Sequence, residues 1–409
     1  MTQANPSTLH PAPVPVASRL QQLDGLRGFA LLGILLVNIL YWSGWGLMTK
    51  AQQVAHSGAR LRDAQWFFDH LLLDGKFYTL FSLLFGIGCA LQLQRLQAGG
   101  HDGVRVYLRR MGVLLVIGLL HSVLVWDGDI LQLYALLGAL LPWFARKPDR
   151  ALLAWAGALV WVVPLAGQAL FEAQGWKPGG AVIALSLDLF ARLGGDPAQD
   201  AGVRWLQQAG WREQLAWSST GTLYSWGLRI ETWRLSKVLG IMVLGLWAGR
   251  RVAQGGLLAD TRLLRRVLLF GLLAGLPASL VYAFLPDAGQ THWSSMIGTV
   301  PLALAYAAAF LLAWPHAPRV LGVFVPPGRM PLSNYLLQSV VNGLVFFGAG
   351  LGLIGQLPMA GFYAYAIALF AVQCVWSRWW LARHAQGPVE ALWRALTYPK
   401  RSSVTVPAT

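Results

Sequence analysis

The sequence predicts an all-α integral membrane protein: a polytopic helical bundle of about ten transmembrane helices with both termini cytoplasmic. Three observations predict it. Hydrophobic residues make up 56% of the 409 and charged residues only 12%, where soluble domains carry roughly 45–50% and about 25%. The apolar residues come in blocks of about 16–23, the length that carries a helix across the hydrocarbon core. The segments between blocks alternate between rich and poor in Lys and Arg, the pattern that fixes topology.

Residues 1–18 hold four prolines and no charged side chain, and no short apolar core with a cleavage site follows. They read as a disordered cytoplasmic tail. The polytopic domain then covers 19–385, with spans at about 24–46, 77–95, 111–127, 130–145, 151–171, 236–252, 267–285, 295–315, 331–353 and 360–381. Residues 386–409 form a cytoplasmic C-terminal tail. The loop at about 172–235 falls on the outer side and is rich in tryptophan. Its stretch 181–193 has the spacing of an amphipathic surface helix. It reads as an interfacial lid, with or without contact to substrate.

Basic residues such as Arg95, Arg105, Arg109, Arg110, Arg146, Arg250, Arg251, Arg265, Arg266 and Arg329 lie on one face, which the positive-inside rule makes cytoplasmic. The formal charge of +15 is therefore mostly topology, and no nucleic-acid partner is expected. Cys89 and Cys374 sit inside apolar blocks and make neither a disulfide framework nor a metal-ligand spacing. No phosphate-binding loop, dinucleotide fingerprint or paired-His motif occurs, and no metal is expected. Gly245 with Gly249, and Gly271 with Gly275, mark close helix packing; a homo-oligomer is an open option.

Polar groups inside a bilayer point to function, since each costs a few kcal/mol. In QLDGLRGFALLGILLVNI, Asp24 and Arg27 share a helix face, and Asn38 continues it three turns on; they form a clamp, or Arg27 and Asn38 meet a ligand. In FFDHLLLDGKFYTLFSLLFGIG, His70 reads as interfacial and solvated. Lys76 either snorkels or pairs with Asp127 or Asp129. In RRMGVLLVIGLLHSVLVWDGDILQLYALLG, His121 lies deep in a span, and Asp127, Gly128 and Asp129 make a tight turn beside it. An imidazole oriented by a carboxylate is a general base, so His121 is the strongest candidate for chemistry. In VPPGRMPLSNYLLQSVVNGL, Asn334 and Gln338 form an amide face that binds substrate or joins helices, and Arg329 is placed for a phosphate.

The strings LDGLRGFALLGILLVNI, GKFYTLFSLLFGIG, GLLHSVLVWDGDIL with LYALLG, GRMPLSNYLLQS and QGPVEALWRALT, in this order over about residues 20–397, resemble the YeiB-like bacterial membrane proteins grouped as domain of unknown function number 418. Through its first spans that family is distantly similar to heparan-α-glucosaminide N-acetyltransferase and other transmembrane acyltransferases. The resemblance implies transfer of an acyl group from cytoplasmic acyl-CoA, acetyl-CoA first among them, to an acceptor at or beyond a bacterial inner membrane. The LD-x-LRG pattern carries over onto Leu23, Asp24, Leu26, Arg27 and Gly28. In the heparan enzyme the catalytic His precedes the second span and a Gly, a place His70 holds ahead of Gly75. The residues around it, HLLLDG, depart from that pattern, and His121 lies within the YeiB-like string.

The expected function is thus a membrane-embedded acyltransferase. His121, with Asp127 or Asp129, activates the acceptor; Arg27, Arg105, Arg109, Arg110 and Arg329 receive the phosphates of CoA; Asn38, Lys76, Asn334 and Gln338 meet substrate. The partners are the lipid bilayer, acyl-CoA and an acceptor that is a glycan, lipid or small molecule. The alternative is a transporter or flippase using the same polar cavity; a third is a structural or signalling protein.

Overall fold

A computed structural model describes residues 20–99, 102–198, 201–285 and 288–398. The expected tail at 1–18 and the end of the C-terminal tail lie outside them. The described residues are helical, with no strand among them.

Helix α1 spans Gln21–Trp42, and α2, Lys50–Ser57, starts on a capping box in which the Thr49 hydroxyl and Gln52 amide serve each other's backbone N–H. Next come α3 (Ala59–Phe68), a π-turn at Asp69–Leu73, and α4 (Lys76–Ala98), entered through left-handed Gly75 at φ +79°. Helices α5 (Gly103–Leu124), α6 (Leu131–Phe144) and α7 (Asp149–Gln174) follow. Between α7 and the next long helix lie α8 (Gly180–Arg192), α9 (Gly202–Gln208) and α10 (Trp211–Glu231). The chain continues through α11 (Arg234–Ala253), α12 (Thr261–Phe284), α13 (Trp293–Ala313), α14 (Pro331–Phe346), α15 (Met359–Leu381) and α16 (Pro388–Thr397).

Among the described residues, seven elements are long and apolar enough to cross a bilayer: α1, the α3–α4 unit, α5, α7, α12, α13 and α15. The three other expected spans are helical but fall short for separate reasons. Helix α6 bends at Ala139–Leu140, leaving pieces of eight and four residues. Helix α14 stops at Phe346 rather than near 353, because the chain turns back and Ile354 N donates to Phe346 O. Helix α11 carries Arg234, Lys237, Arg250 and Arg251, yet Val238, Ile241, Met242 and Val243 are fully buried; it runs through the middle of the bundle.

Glycines set the tightest seam. A Cβ on Gly86 would overlap the Met242 carbonyl, one on Gly245 the Leu83 carbonyl, and one on Gly249 would stand 2.7 Å from Ala90 Cβ. Helices α4 and α11 therefore meet backbone to backbone, the small-residue packing that membrane helices use. Gly271 and Gly275 do the same for α12 against Pro301 and Leu302 of α13. In the LRG string, a Cβ on Gly28 would overlap Phe324 O, and one on Gly328 would overlap Asp24 O. This seats α1 against the short turn Val325–Arg329.

Within the expected C-terminal tail, residues 388–397 form a helix. Helix α16 lies across one end of the bundle: Trp393 Nε1 donates to Arg110 O at 2.9 Å, and Arg109 Nε donates to Leu396 O at 3.1 Å. Glu390 accepts from Leu332 N at 2.8 Å and Ser333 N at 3.1 Å. A carboxylate from α16 thus caps the N-terminus of α14, where unpaired backbone N–H groups and the helix dipole favour an anion.

Candidate active site

Near its C-terminal end α5 carries His121, which would be costly in hydrocarbon without a partner. The chain after α5 supplies one. Val125 N and Trp126 N both fold back onto His121 O, and the following turn returns Asp129 beside the ring. His121 Nδ1 donates to Asp129 Oδ1 at 2.8 Å. With Nδ1 carrying the proton, Nε2 holds the lone pair; it is buried and has no hydrogen-bond partner.

The dyad has its own supports. Asp129 Oδ2 accepts from Gln132 N at 3.0 Å, and Tyr335 OH of α14 donates to Oδ1 at 3.5 Å. Gln132 Nε2 donates to Gly118 O at 3.3 Å and to Ser122 Oγ, while its Oε1 accepts from Trp226 Nε1 at 2.9 Å. Arg229 Nη2 donates to Asp129 O. The Tyr335 ring lies 5.3 Å from His121, and Trp126 and Trp42 continue the aromatic wall. A fully buried carboxylate with these donors holds the imidazole in one tautomer, as a general base requires.

The long segment between α7 and α11 therefore does more than lie at a surface. Its helix α10 brings Trp226 and Arg229 onto the dyad's supports and sets Gly221 against Asp127. Asp127 does not orient His121; Asp129 does. Burial pushes the Asp127 carboxyl up to about 6.

A second polar cluster forms where α3 breaks into α4. The π-turn and Gly75 let Asp74 and Lys76 turn inward, and a Cβ on Gly75 would stand 2.6 Å from Thr299 Cγ2. Asp74 accepts from Tyr282 OH at 2.8 Å and from Gln290 Nε2 at 2.6 Å. Gln290 Oε1 in turn accepts from Arg234 Nη2 at 2.8 Å. Lys76 is fully buried and donates to His70 O. The expected pairing of Lys76 with Asp127 or Asp129 is not made, because the π-turn puts the His70 carbonyl within its reach. His70 is not solvated either: its ring is buried, stacked on Trp66 at 3.8 Å and tilted against Tyr282 at 4.5 Å between centroids, with Nδ1 on Trp66 O at 2.9 Å.

The remaining expected residues divide. Arg27 pairs with Asp24 at 2.7 Å and reaches Gly328 O at 3.3 Å, so it clamps α1. Asn334 Nδ2 is spent on Met330 O and Ser377 Oγ, and Gln338 donates to Gln373 Oε1 at 2.8 Å; these amides join α14 to α15. Asn38 is half-buried and, among the described residues, makes no side-chain hydrogen bond. Arg105 and Arg109 are exposed and line a shallow basin of about 600 Å³ with Asp102, Val104, Leu108 and Arg146. Arg110 stacks on Trp393, 3.9 Å from the ring centroid. Arg329 ends the Val325–Arg329 turn, half-buried.

Sequence reasoning missed Gln132, Trp226, Arg229 and Tyr335. Gln132 and Tyr335 stand inside quoted strings, adjacent in kind to the residues singled out. Trp226 and Arg229 lie a hundred residues along the chain, in a segment whose composition reads as surface.

A family described as "Protein of unknown function (DUF418)" matches residues 248–400. The chain is 30% identical over 402 residues to the uncharacterized protein YxaH of Bacillus subtilis (strain 168), covering 94% of this chain and 96% of that one. It is 30% identical over 399 residues to the uncharacterized protein YeiB of Escherichia coli (strain K12), covering 92% and 95%. An uncharacterized 39.9 kDa protein of Bacillus acidopullulyticus is 28% identical over 396 residues, 95% of this chain and 96% of that one.

Proposed function

This chain belongs to the YeiB-like DUF418 family, and from the chemistry of its buried dyad we propose that it is a membrane-embedded acyltransferase using cytoplasmic acyl-CoA. The observation that carries the reading is His121 Nδ1 held on Asp129 at 2.8 Å with Nε2 buried and unpartnered. The basic nitrogen of this imidazole is committed to no other protein group.

In the proposed reaction the acceptor hydroxyl or amine gives its proton to His121 Nε2 and attacks the thioester carbonyl. The C–S bond breaks, and the CoA thiolate takes the proton back from the imidazolium, which Asp129 has stabilised meanwhile. The phosphates of acyl-CoA dock on the cationic end of α5, at Arg105 and Arg109. Arg109 is twelve residues from His121, about 18 Å along the helix, a distance that suits an extended pantetheine arm. Asn38, whose side chain makes no hydrogen bond among the described residues, is assigned to the developing oxyanion. The same reading places ten helices in a bacterial inner membrane, the basic end of α5 and both termini in the cytoplasm, and the acceptor site toward the opposite face.

Labelled acetyl-CoA added to membranes containing the protein is expected to pass its acetyl group to a lipid, glycan or small acceptor, with transfer lowered at least about 100-fold by His121→Ala. Transfer at the wild-type rate in that variant refutes the role of His121. A second reading, a transporter, is favoured by one observation: the broken helix at Asp69–Gly75 with a buried lysine at its end, an arrangement that discontinuous transporter helices share. It predicts substrate movement in proteoliposomes without acyl-CoA, and no thermal stabilisation of the purified protein by acetyl-CoA.

A further inference from the structure

Helices α10 and α11 do not run on into one another. Trp233 separates them, and at φ +56° it is the one non-glycine residue with positive φ among the described residues. That left-handed conformation is strained for a side chain of this size. The ring is fixed from outside: Nε1 donates to Gln168 Oε1 at 2.9 Å, and the indole stacks on Phe171 at 4.9 Å between centroids. A Cβ on Gly167 would overlap it. The bend thus sits in a seat on α7 made for it.

The consequence is the placement of cations. Arg229 stands in the last turn of α10, Arg234 opens α11, and Lys237 lies one turn later on the same face as Arg234. Arg229 and Lys237 are each 5% exposed. Burying a charge is expensive unless it is paired, yet among the described residues none of the three forms an ion pair. Their hydrogen bonds go to neutral groups: Arg229 to the Asp129 carbonyl and Arg234 to Gln290 Oε1. Gln290 holds Arg234 apart from Asp74, whose two oxygens are taken by Gln290 and Tyr282. Donors remain over: Arg229 Nη1 and Arg234 Nε are buried and unpartnered. The Arg229 guanidinium is pushed down to about 10, by burial first and by Arg234 next, against the opposing pull of Asp129 and Asp127.

We propose that Arg229, Arg234 and Lys237 form a binding site for a phosphate or carboxylate group, and that the acceptor of the acyl transfer is an anionic molecule anchored there. Guanidinium groups present paired donors that match such oxyanions. The class of acceptor rests on the acyltransferase reading; the anion site itself does not. Because Arg229 also holds the backbone of Asp129, an anion bound here lies beside the His121 dyad.

The test uses the full-length protein in phosphatidylcholine nanodiscs, titrated with sodium phosphate against sodium chloride at equal ionic strength, with thermal unfolding as readout. Phosphate is expected to raise the midpoint in wild type. Arg234→Gln and Lys237→Met are each expected to weaken its apparent affinity at least tenfold, while Arg234→Lys retains most of it. Nanodiscs containing phosphatidylglycerol make the second arm: prior stabilisation that removes the phosphate response identifies a lipid headgroup as the source, and an undiminished response identifies a soluble anion. Equal effects of phosphate and chloride in wild type, or equal phosphate responses in wild type and both charge-removing variants, overturn the site. Phosphate binding at these residues without acetyl transfer keeps the site and refutes the enzyme reading.

Discussion

Replacing Gly245 with alanine probes the seam on which the bundle is built. An added Cβ there overlaps the Leu83 carbonyl and stands 2.9 Å from Gly86 Cα, where ordinary contact is 3.4–4 Å. The obstacles are backbone atoms, so no rotamer change relieves them and α4 must move from α11 by at least about 0.5 Å along a tightly packed face. Overpacking of this kind costs roughly 1–3 kcal/mol, and backbone obstacles put it near the upper end. Gly88→Ala is the control: it sits in α4, and its Cβ meets nothing within 4 Å. Both variants gain about the same helix propensity, up to ~1 kcal/mol, so their difference isolates the steric cost, about 3 kcal/mol. Thermal unfolding of detergent-purified protein by tryptophan fluorescence should place Gly245→Ala of order 5 °C below Gly88→Ala. Coincident midpoints would mean that α4 and α11 do not meet through these glycines.

Two further outcomes follow from the site. In Asp129→Asn the amide can turn its NH₂ toward His121 Nδ1, moving the ring proton to Nε2; acetyl transfer should fall about 100-fold or more while thermal stabilisation by acetyl-CoA persists, and full transfer would dismiss the dyad. Asp127, pushed up to about 6 by burial, compares with about 3.9 in an unfolded chain, so its contribution to stability is complete below about pH 4 and is lost as pH rises through about 6. Asp127→Asn, neutral throughout, should therefore raise the unfolding midpoint more at pH 8 than at pH 4; equal shifts at both would disprove the burial argument.

Much of the helix plan was legible because span length and apolar composition are set by the bilayer rather than by tertiary detail. What composition could not separate was a lipid-facing helix from one enclosed by its neighbours. Helix α11 shows the difficulty: its charges sit at its ends while its middle packs against α4, so hydropathy alone understates it. At the site, His121 and Asp129 were legible because they are eight residues apart and joined by a turn. Trp226 and Arg229 were not, since their role depends on α10 folding back over α5, a contact about a hundred residues distant in sequence. Lys76 failed for a local reason: a π-turn shifts side-chain direction by a fraction of a turn, and no spacing rule based on 3.6 residues anticipates it.

The helix α16 places a constraint on synthesis. The first-turn N–H groups of α14 wait for Glu390, and the Arg110 ring contact waits for Trp393. Both come from a stretch of chain that leaves the ribosome after α5 and α14. An insertion intermediate that lacks α16 holds α14 with an uncapped end and leaves the basic end of α5 uncovered. Closure of that end of the bundle therefore waits for synthesis of α16, and a chain that stops before it carries an open surface there.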